Sequence, residues 1–333
     1  MFRIKQTVEL EVMECLAEGG MGAVYKARQK GVDGFEKTVA VKTLLAPLSE
    51  EKQFVDMFRA EALLVANLIH ENIVQIYQLG KHEGNYYFVL EYVDGISLHE
   101  FVNFHVKLKL KLPLNLAVFI ASRVARGLSY AHSRTGRDGK PLNIVHCDVC
   151  PSNIMITTEG LPKLTDFGIA KAANMASTGT VSGKLPFMSP EQASGLDMDF
   201  RSDIYSLGVV LFFLISGKHT RDVSSDFSKV LEQAKTNYIN WDNFPDEPKN
   251  DRDLMNIIER CLAPAPAQRY NSTSELAREL EYYIYKDGYG PTIVTLAKYM
   301  RDTMPYVFEK DGKRISPGDP TYVMPGKTTK INF

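Results

Sequence analysis

The sequence predicts an α+β fold in two lobes, a small antiparallel β-sheet carrying one main helix, followed by a larger and mostly helical part. Three observations predict it. Residues 8–45 read as strand-like runs broken by turns, and residues 51–69 repeat apolar side chains at helical spacing. From Gly95 onward, helical periodicity dominates. The 333 residues, 44% hydrophobic and 24% charged, suffice for one bilobal unit or two compact ones and exclude a disordered or fibrous chain.

Charge is balanced at 39 basic against 40 acidic residues, which leaves no global field to draw in nucleic acid or a membrane surface. Four cysteines are too few for a disulfide framework and point to a reducing compartment. The N-terminal stretch MFRIKQTVELEV carries charges where a signal peptide needs an apolar core. The longest apolar run, residues 207–215, is far short of the roughly 20 that cross a bilayer. The expectation is a cytoplasmic protein with no membrane segment and no nucleic-acid partner.

In the first lobe, Gly19, Gly20 and Gly22 sit between two strand-like runs. A plain hairpin explains them as well as a phosphate-covering loop does, in which missing side chains let backbone N–H groups approach an anion. In Thr38-Val39-Ala40-Val41-Lys42, alternation puts Ala40 and Lys42 on one face, opposite Val39 and Val41. A small residue beside a lysine suits a flat adenine ring with its phosphates nearby; a surface lysine on an edge strand is the bland alternative. The helix over 51–69 has an apolar stripe of Phe54, Met57, Phe58, Val65 and Leu68, and Glu61 falls within it. A carboxylate there needs a cation, and Lys42 is the natural partner. Residues 73–77 and 86–92 read as two more strands. Gly95 then marks a boundary without a flexible linker, so lobes of 8–93 and 94–286 are expected to meet at a cleft.

In the second lobe, Leu116, Ile120, Val124 and Leu128 define a one-sided helix over 115–133. Residues 106–112 alternate like a strand but have no place in this layout, and 135–141 form a surface loop by their turn residues. Next comes His146-Cys147-Asp148-Val149-Cys150-Pro151-Ser152-Asn153, a polar turn between two apolar runs. Its Asp148 suits a proton acceptor and its Asn153 an oxygen ligand for a hard metal ion. A second metal-type signal follows in Asp166-Phe167-Gly168, where an aspartate leaves a strand.

Taken in order, the glycine turn, Val39-Ala-Val-Lys42, Glu61, His146-x-Asp148-x4-Asn153, Asp166-Phe-Gly168, Ser189-Pro-Glu191, Ser202-Asp203 and Arg269 resemble the eukaryotic-like (Hanks-type) Ser/Thr protein kinases of bacteria. The resemblance covers about residues 10–286 and implies a bilobal protein-kinase-like fold. It implies transfer of the γ-phosphoryl group of ATP, bound with Mg²⁺, to Ser or Thr hydroxyls of protein substrates. Lys42 would hold the α/β-phosphates and Glu61 orient it; Asn153 and Asp166 would bind Mg²⁺; Asp148 would accept or steer the hydroxyl proton. Gly19, Gly20 and Gly22 would cover the phosphates, with Ala17 at the family's first loop glycine. Val24, Ala40 and Leu90 would line the adenine site, with the backbone of Glu91 to Val93 as its hydrogen-bonding edge. Glu191 would pair with Arg269, and Asp203 would brace the catalytic loop.

Three positions depart from that pattern. Cys147 replaces an arginine that commonly pairs with a phosphorylated activation loop, so phosphorylation at Ser177, Thr178, Thr180 or Ser182 is expected to be dispensable. Cys150 replaces the lysine that meets the γ-phosphate. Lys184 stands where the family has a threonine touching both the catalytic aspartate and that lysine, so the lost charge is expected to return from the opposite wall of the site. A solvent-exposed Lys184 in a degenerate enzyme is the alternative. The Cys147/Cys150 pair lacks the second Cys/His pair of a zinc site; buried thiols are expected over a redox switch. A pseudokinase scaffold that binds ATP weakly or not at all is the competing function, favoured by Cys150 and opposed by Lys42, Glu61, Asp148, Asn153 and Asp166. A small-molecule kinase fits less well, since Ser189-Pro-Glu191 and the preceding loop suit a protein substrate. Residues 287–333 form an extension, with a short helix over 293–304 and declining order beyond it. Residues 325–328 imitate the end of a nucleotide-binding P-loop, but Thr321 occupies the place of its first glycine.

Overall fold

The computed structural model describes residues 9–19, 22–44, 52–167, 184–222 and 226–309, without the side chains at 53, 54, 57, 60, 61, 63 and 64. The chain divides into two compact units, with boundaries at Ile69/His70, Ile73/Val74 and Val93/Asp94.

The first unit is a wholly antiparallel sheet of β1 (Glu9–Gly19), β2 (Gly22–Lys30), β3 (Glu36–Leu44), β4 (Ile76–His82) and β5 (Asn85–Glu91), in the order β1-β2-β3-β5-β4. Its helix, α1, spans Lys52–Val65. Alternation along β3 separates two apolar clusters. Val39 and Val41 pack with Ala27 and Val89, while Ala40 packs with Phe88, Leu90 and, from α1, Phe58 and Ala62. The Phe58 and Phe88 rings stack with centroids 3.9 Å apart. Each such large apolar side chain contributes about 1.5–3 kcal/mol by its burial, so Phe58 and Ala62 hold α1 on the sheet.

The second unit has a small sheet of β6 (Gly95–Ser97), β7 (Ile154–Thr157) and β8 (Pro162–Leu164), and is otherwise helical. Its helices are α2 (Leu98–Lys107), α3 (Leu114–His132), α4 (Pro190–Ala193), α5 (Phe200–Ser216), α6 (Phe227–Lys235), α7 (Asp246–Lys249), α8 (Arg252–Cys261), α9 (Thr273–Tyr285) and α10 (Ile293–Thr303). The central one is α5, buried from Ser202 to Leu214. Asp199 caps its start, and Gly217, with φ of 65°, ends it in the left-handed conformation that glycine adopts without strain. Its apolar run is that of residues 207–215, enclosed in a protein core. No helix among the described residues is long and apolar enough to cross a membrane.

Two local readings of the sequence are corrected. The strand-like alternation over 106–112 is no strand: α2 runs to Lys107, and Lys109 turns the chain with φ of 53°. Val106 and Leu110 are both exposed, so the alternation has no buried face to reward it. The strand read at 73–77 begins at Ile76; Ile73 instead makes a lone parallel bridge to Leu164 in the second unit.

In the extension, Leu296, Met300 and Met304 are fully buried. The Tyr299 hydroxyl donates to His105 Nε2 at 2.8 Å, while His105 Nδ1–H donates to the Phe101 carbonyl at 2.7 Å. The turn between β7 and β8 meets α10 at Gly160, which has φ of 81° and where a Cβ would lie 2.1 Å from the Ile293 carbonyl oxygen. Backbone conformation and contact both require glycine there. The tail expected to lose order, from 310 onward, lies outside the described residues.

Candidate active site

Asp203, in the first turn of α5, is 1% exposed, and its carboxylate is surrounded by donors. It accepts the backbone N–H of His146 at 2.7 Å and that of Cys147 at 2.9 Å, and lies 2.8 Å from His132 Nε2. A buried carboxylate is tolerable only when its oxygens are satisfied in this way, and here the donors are the catalytic-type loop itself. This is the bracing role expected of Asp203.

The fully buried His146 organises the loop next. Its Nε2–H donates to the Thr165 carbonyl at 3.0 Å, and its Nδ1 accepts the Asp148 N–H at 3.2 Å. Accepting at Nδ1 requires the neutral ring, and burial pushes the His146 pKa down accordingly. The ring also packs on Phe167, centroid to centroid at 4.6 Å. Cys147 has φ of 62°, a left-handed conformation that strains a non-glycine residue. The strain is held at both backbone groups: its N–H by Asp203 and its carbonyl by Gln192 Nε2 at 2.9 Å.

The strand pair β7–β8 then joins the two metal-type residues. Ile154 pairs with Leu164, and the Thr165 N–H donates to the Asn153 carbonyl at 2.9 Å. Asn153 immediately precedes β7, and Asp166, with φ of 57°, lies two residues beyond the end of β8. Asn153 Nδ2 donates to the Asp148 carbonyl at 2.9 Å and to its carboxylate at 2.8 Å, which fixes the amide orientation and leaves Oδ1 as the acceptor. Among the described residues, no group of three or more His, Cys, Asp or Glu is placed to hold a metal alone.

Lys184 approaches from the segment before α4. Its ammonium group hydrogen-bonds to the Asp148 carboxylate and lies 3.5 Å from Asn153 Oδ1. The Asp148 side chain is 7% exposed and that of Lys184 26%. Cys150 is buried, with Sγ 4.0 Å from Asp148 Oδ1. All four cysteines are free thiols. Burial pushes Cys150 up to about 12 and Cys147 well above the usual thiol range, so neither is a thiolate at neutral pH.

In the first unit, Val24, Ala40, Leu90 and Val93 belong to one apolar cluster. Glu91 pairs with Val39 across β3–β5, and Lys42 pairs with Phe88. Gly19 and Gly22 face each other at the end of the β1–β2 hairpin, and a Cβ at Gly22 would lie 2.1 Å from the Thr43 carbonyl oxygen. Close backbone packing therefore demands that glycine independently of any anion. Gly20, Gly168, Ser177, Thr178, Thr180, Ser182 and the Glu61 side chain lie outside the described residues.

A family model described as the protein kinase domain matches residues 10–280. The chain belongs to the protein kinase family. The tyrosine-protein kinase MasK of Myxococcus xanthus is 37% identical over 296 residues, covering 86% of this chain and 44% of that protein. The serine/threonine-protein kinase PrkC of Bacillus subtilis is 35% identical over 277 residues, covering 81% of this chain and 40% of that protein. The solved PknI kinase domain of Mycobacterium tuberculosis is similar with a TM-score of 0.60 and 26% identity, covering 82% of this chain and 94% of that one. The chain thus spans less than half the length of these two curated relatives.

Within this kinase-family chain, the pair expected between Glu191 and Arg269 forms at 2.6 and 2.9 Å, with Ser202 donating to the same carboxylate at 2.6 Å. Three contributors escaped sequence reasoning. Gln192 had a readable signal, the Ser189-x-x-Gln192 capping box that the structure forms. His132 and Arg221 had none, because their partners are distant in sequence.

Proposed function

We propose that this chain is an active protein kinase domain that moves the γ-phosphoryl group of ATP to a Ser or Thr hydroxyl, with Lys184 supplying the cation lost at Cys150. The observation that carries the reading is the Lys184 ammonium group on the Asp148 carboxylate, within reach of Asn153. A scaffold that had abandoned chemistry has no need to keep a charged pair at that spot.

The residues suit the groups that the reaction requires. A hard divalent cation takes oxygen ligands and keeps water and phosphate oxygens in its shell, so the Asn153 amide oxygen and the Asp166 carboxylate are a sufficient protein share. Bound there, Mg²⁺ would neutralise phosphate charge. The apolar cluster around Val24, Ala40, Leu90 and Val93 fits adenine, with Lys42 oriented by Glu61 on the α/β-phosphates and Gly19, Gly20 and Gly22 covering them. Asp148 accepts the hydroxyl proton as the new O–P bond forms and the bond to the departing ADP oxygen breaks. Lys184 stabilises negative charge developing on the phosphoryl group. Activity without phosphate on Ser177, Thr178, Thr180 or Ser182 is part of the proposal, as is a cytoplasmic setting, where MgATP is available and the four thiols stay reduced.

Ser/Thr acceptors are favoured by the likeness to PrkC, a serine/threonine-protein kinase, whereas MasK is a tyrosine-protein kinase. The test is phosphate transfer by the purified chain from MgATP to a mixed protein acceptor, followed by phosphoamino-acid analysis. Phosphoserine and phosphothreonine, lost in Asp148→Asn, are expected. Phosphotyrosine alone would reverse the acceptor assignment, and no transfer with intact ATP binding would make the chain a pseudokinase.

A further inference from the structure

Arg221, in the turn after α5, is among the largest fully buried side chains of the described residues and is 1% exposed. No carboxylate among the described residues lies within ion-pair distance of it. Its guanidinium instead serves main-chain oxygens. Nη1 donates to the Leu185 carbonyl at 3.2 Å and the Pro186 carbonyl at 2.8 Å. Nη2 donates to the Met188 carbonyl at 2.8 Å and to the Tyr205 hydroxyl at 3.0 Å, and Nε is buried with no partner among the described residues. Burial pushes its pKa below the usual arginine value.

An arginine placed this way is a poor device for stability alone. Neutral acceptors compensate an ion's desolvation less fully than a carboxylate does, and one buried N–H is left unsatisfied. What the guanidinium does uniquely is hold several carbonyls at fixed spacing with one rigid planar fork. Those carbonyls belong to the single 3-10 turn Leu185–Phe187 and the residue after it. A turn so short cannot hold itself. Its backbone bonds are the Phe187 N–H to the Lys184 carbonyl at 3.0 Å and the Met188 N–H to the Leu185 carbonyl at 3.3 Å. Phe187 packs on Phe213 and His219, and Leu185 and Met188 join Val230 and Ala234 in an apolar cluster, but that packing is non-directional and Arg221 is what fixes the carbonyls. Lys184 is the residue from which this turn starts, and its backbone direction sets where the ammonium group can reach.

We propose that Arg221 is a positioning residue for phosphoryl transfer, clamping the turn at 185–188 so that Lys184 stays on Asp148 and Asn153. The inference rests on the reading of Lys184 as the restored cation. Gln192 Nε2, bonded to the Cys147 carbonyl at 2.9 Å, ties the far end of the same segment to the catalytic loop. Arg221 thus governs the near end, where the charge is.

A four-cornered cycle tests it, using the full chain as wild type, Arg221→Met, Lys184→Ala and the double variant. Turnover is read as ADP formed from MgATP with myelin basic protein as acceptor, and folding is checked by circular dichroism and thermal melting. Arg221→Met should lower kcat about tenfold, because a misplaced catalytic group loses rate even when it remains present. KM for ATP should stay within about twofold, and in the Lys184→Ala background the same change should cost less than about twofold, since partners acting through one another are not additive. Arg221→Lys, which keeps the charge but not the fork, should fall between wild type and Arg221→Met. An equal loss in both backgrounds, or wild-type kcat in folded Arg221→Met, overturns the proposal. If Arg221→Met does not fold, Arg221→Lys carries the cycle; if neither folds, the role is structural and the proposal fails. Wild-type turnover in Lys184→Ala would sink the reading of Lys184 itself, a result separable from additivity.

Discussion

Residues 184–191 are bracketed by two ion pairs of opposite character. At the far end, Arg269 is fully buried and grips both oxygens of Glu191, with further bonds to the carbonyls of Arg201, Ala263 and Pro264. At the near end, Lys184 meets Asp148 through one ammonium group and keeps a quarter of its side chain exposed. The first pair is enclosed and multiply bonded, which makes its loss a matter of folding. The second is partly open, and under the proposed function its loss is a matter of rate. The contrast separates an anchor from a reagent within eight residues.

The largest effect should come from breaking the anchor. Arg269→Ala leaves Glu191 buried without its counter-ion, a change that costs about 3–5 kcal/mol. Urea denaturation should register that loss. A melt within about 1 kcal/mol of wild type would mean the Glu191 pocket admits water and the contrast is false.

Lys184→Ala should do the reverse. The Asp148 carboxylate is as enclosed as that of Glu191, but Asn153 Nδ2 still donates to it at 2.8 Å and its lost partner is 26% exposed, so the denaturation cost should stay near about 1 kcal/mol, well below that of Arg269→Ala. Phosphate transfer should nonetheless fall about 10²-fold or more, the scale on which lost electrostatic groups act. An unchanged rate, or a large stability loss with proportionate activity, would put Lys184 in the anchor class.

Much of this contrast was legible before any coordinates. The resemblance put Cys150 and Lys184 at one site, and the structure brings both to the Asp148 carboxylate. The alternation of Val39, Ala40 and Val41 was equally readable, since both faces of β3 are packed. What could not be read were bonds to backbone atoms far along the chain. Arg221 sits in a polar turn and looks solvated, and nothing in its neighbourhood announces the carbonyls at 185, 186 and 188. Residues 106–112 misled for the opposite reason: a period of two means a strand only where one face is buried, and there neither is.

The enclosed side of the comparison also predicts a pH response. Burial depresses the pKa of His105, His146 and His219 below 6.5, chiefly by desolvation. The unfolded chain then binds protons that the folded chain refuses. Stability should be flat in this respect above pH 6.5 and fall as the pH drops below it, by up to about 1.4 kcal/mol per pH unit for each histidine. Denaturation midpoints between pH 7.5 and 5.5 provide the check. His105→Asn should flatten part of the slope, and a stability that rose toward pH 5.5 would contradict the burial of these rings.

The smallest expected effect concerns the two cysteines beside Asp148. Both lie on the anchored side of the loop, held by Asp203 and Gln192 through the backbone of Cys147, and burial keeps both thiols protonated at neutral pH. Disulfide exchange starts from a thiolate, and neither thiol is one at neutral pH, although Cys147 is half-buried where Cys150 is fully buried. A thiol reagent such as DTNB should therefore label the exposed Cys15 promptly and leave Cys147, Cys150 and the buried Cys261 unreacted until denaturant is added. Phosphate transfer should be the same after peroxide as after dithiothreitol. Rapid labelling of Cys147 or Cys150, with loss of activity that dithiothreitol restores, would show that the loop opens around Asp148. The near end of the segment would then be mobile at its base as well as at Lys184, and the catalytic loop would have to be counted with the reagent, not the anchor.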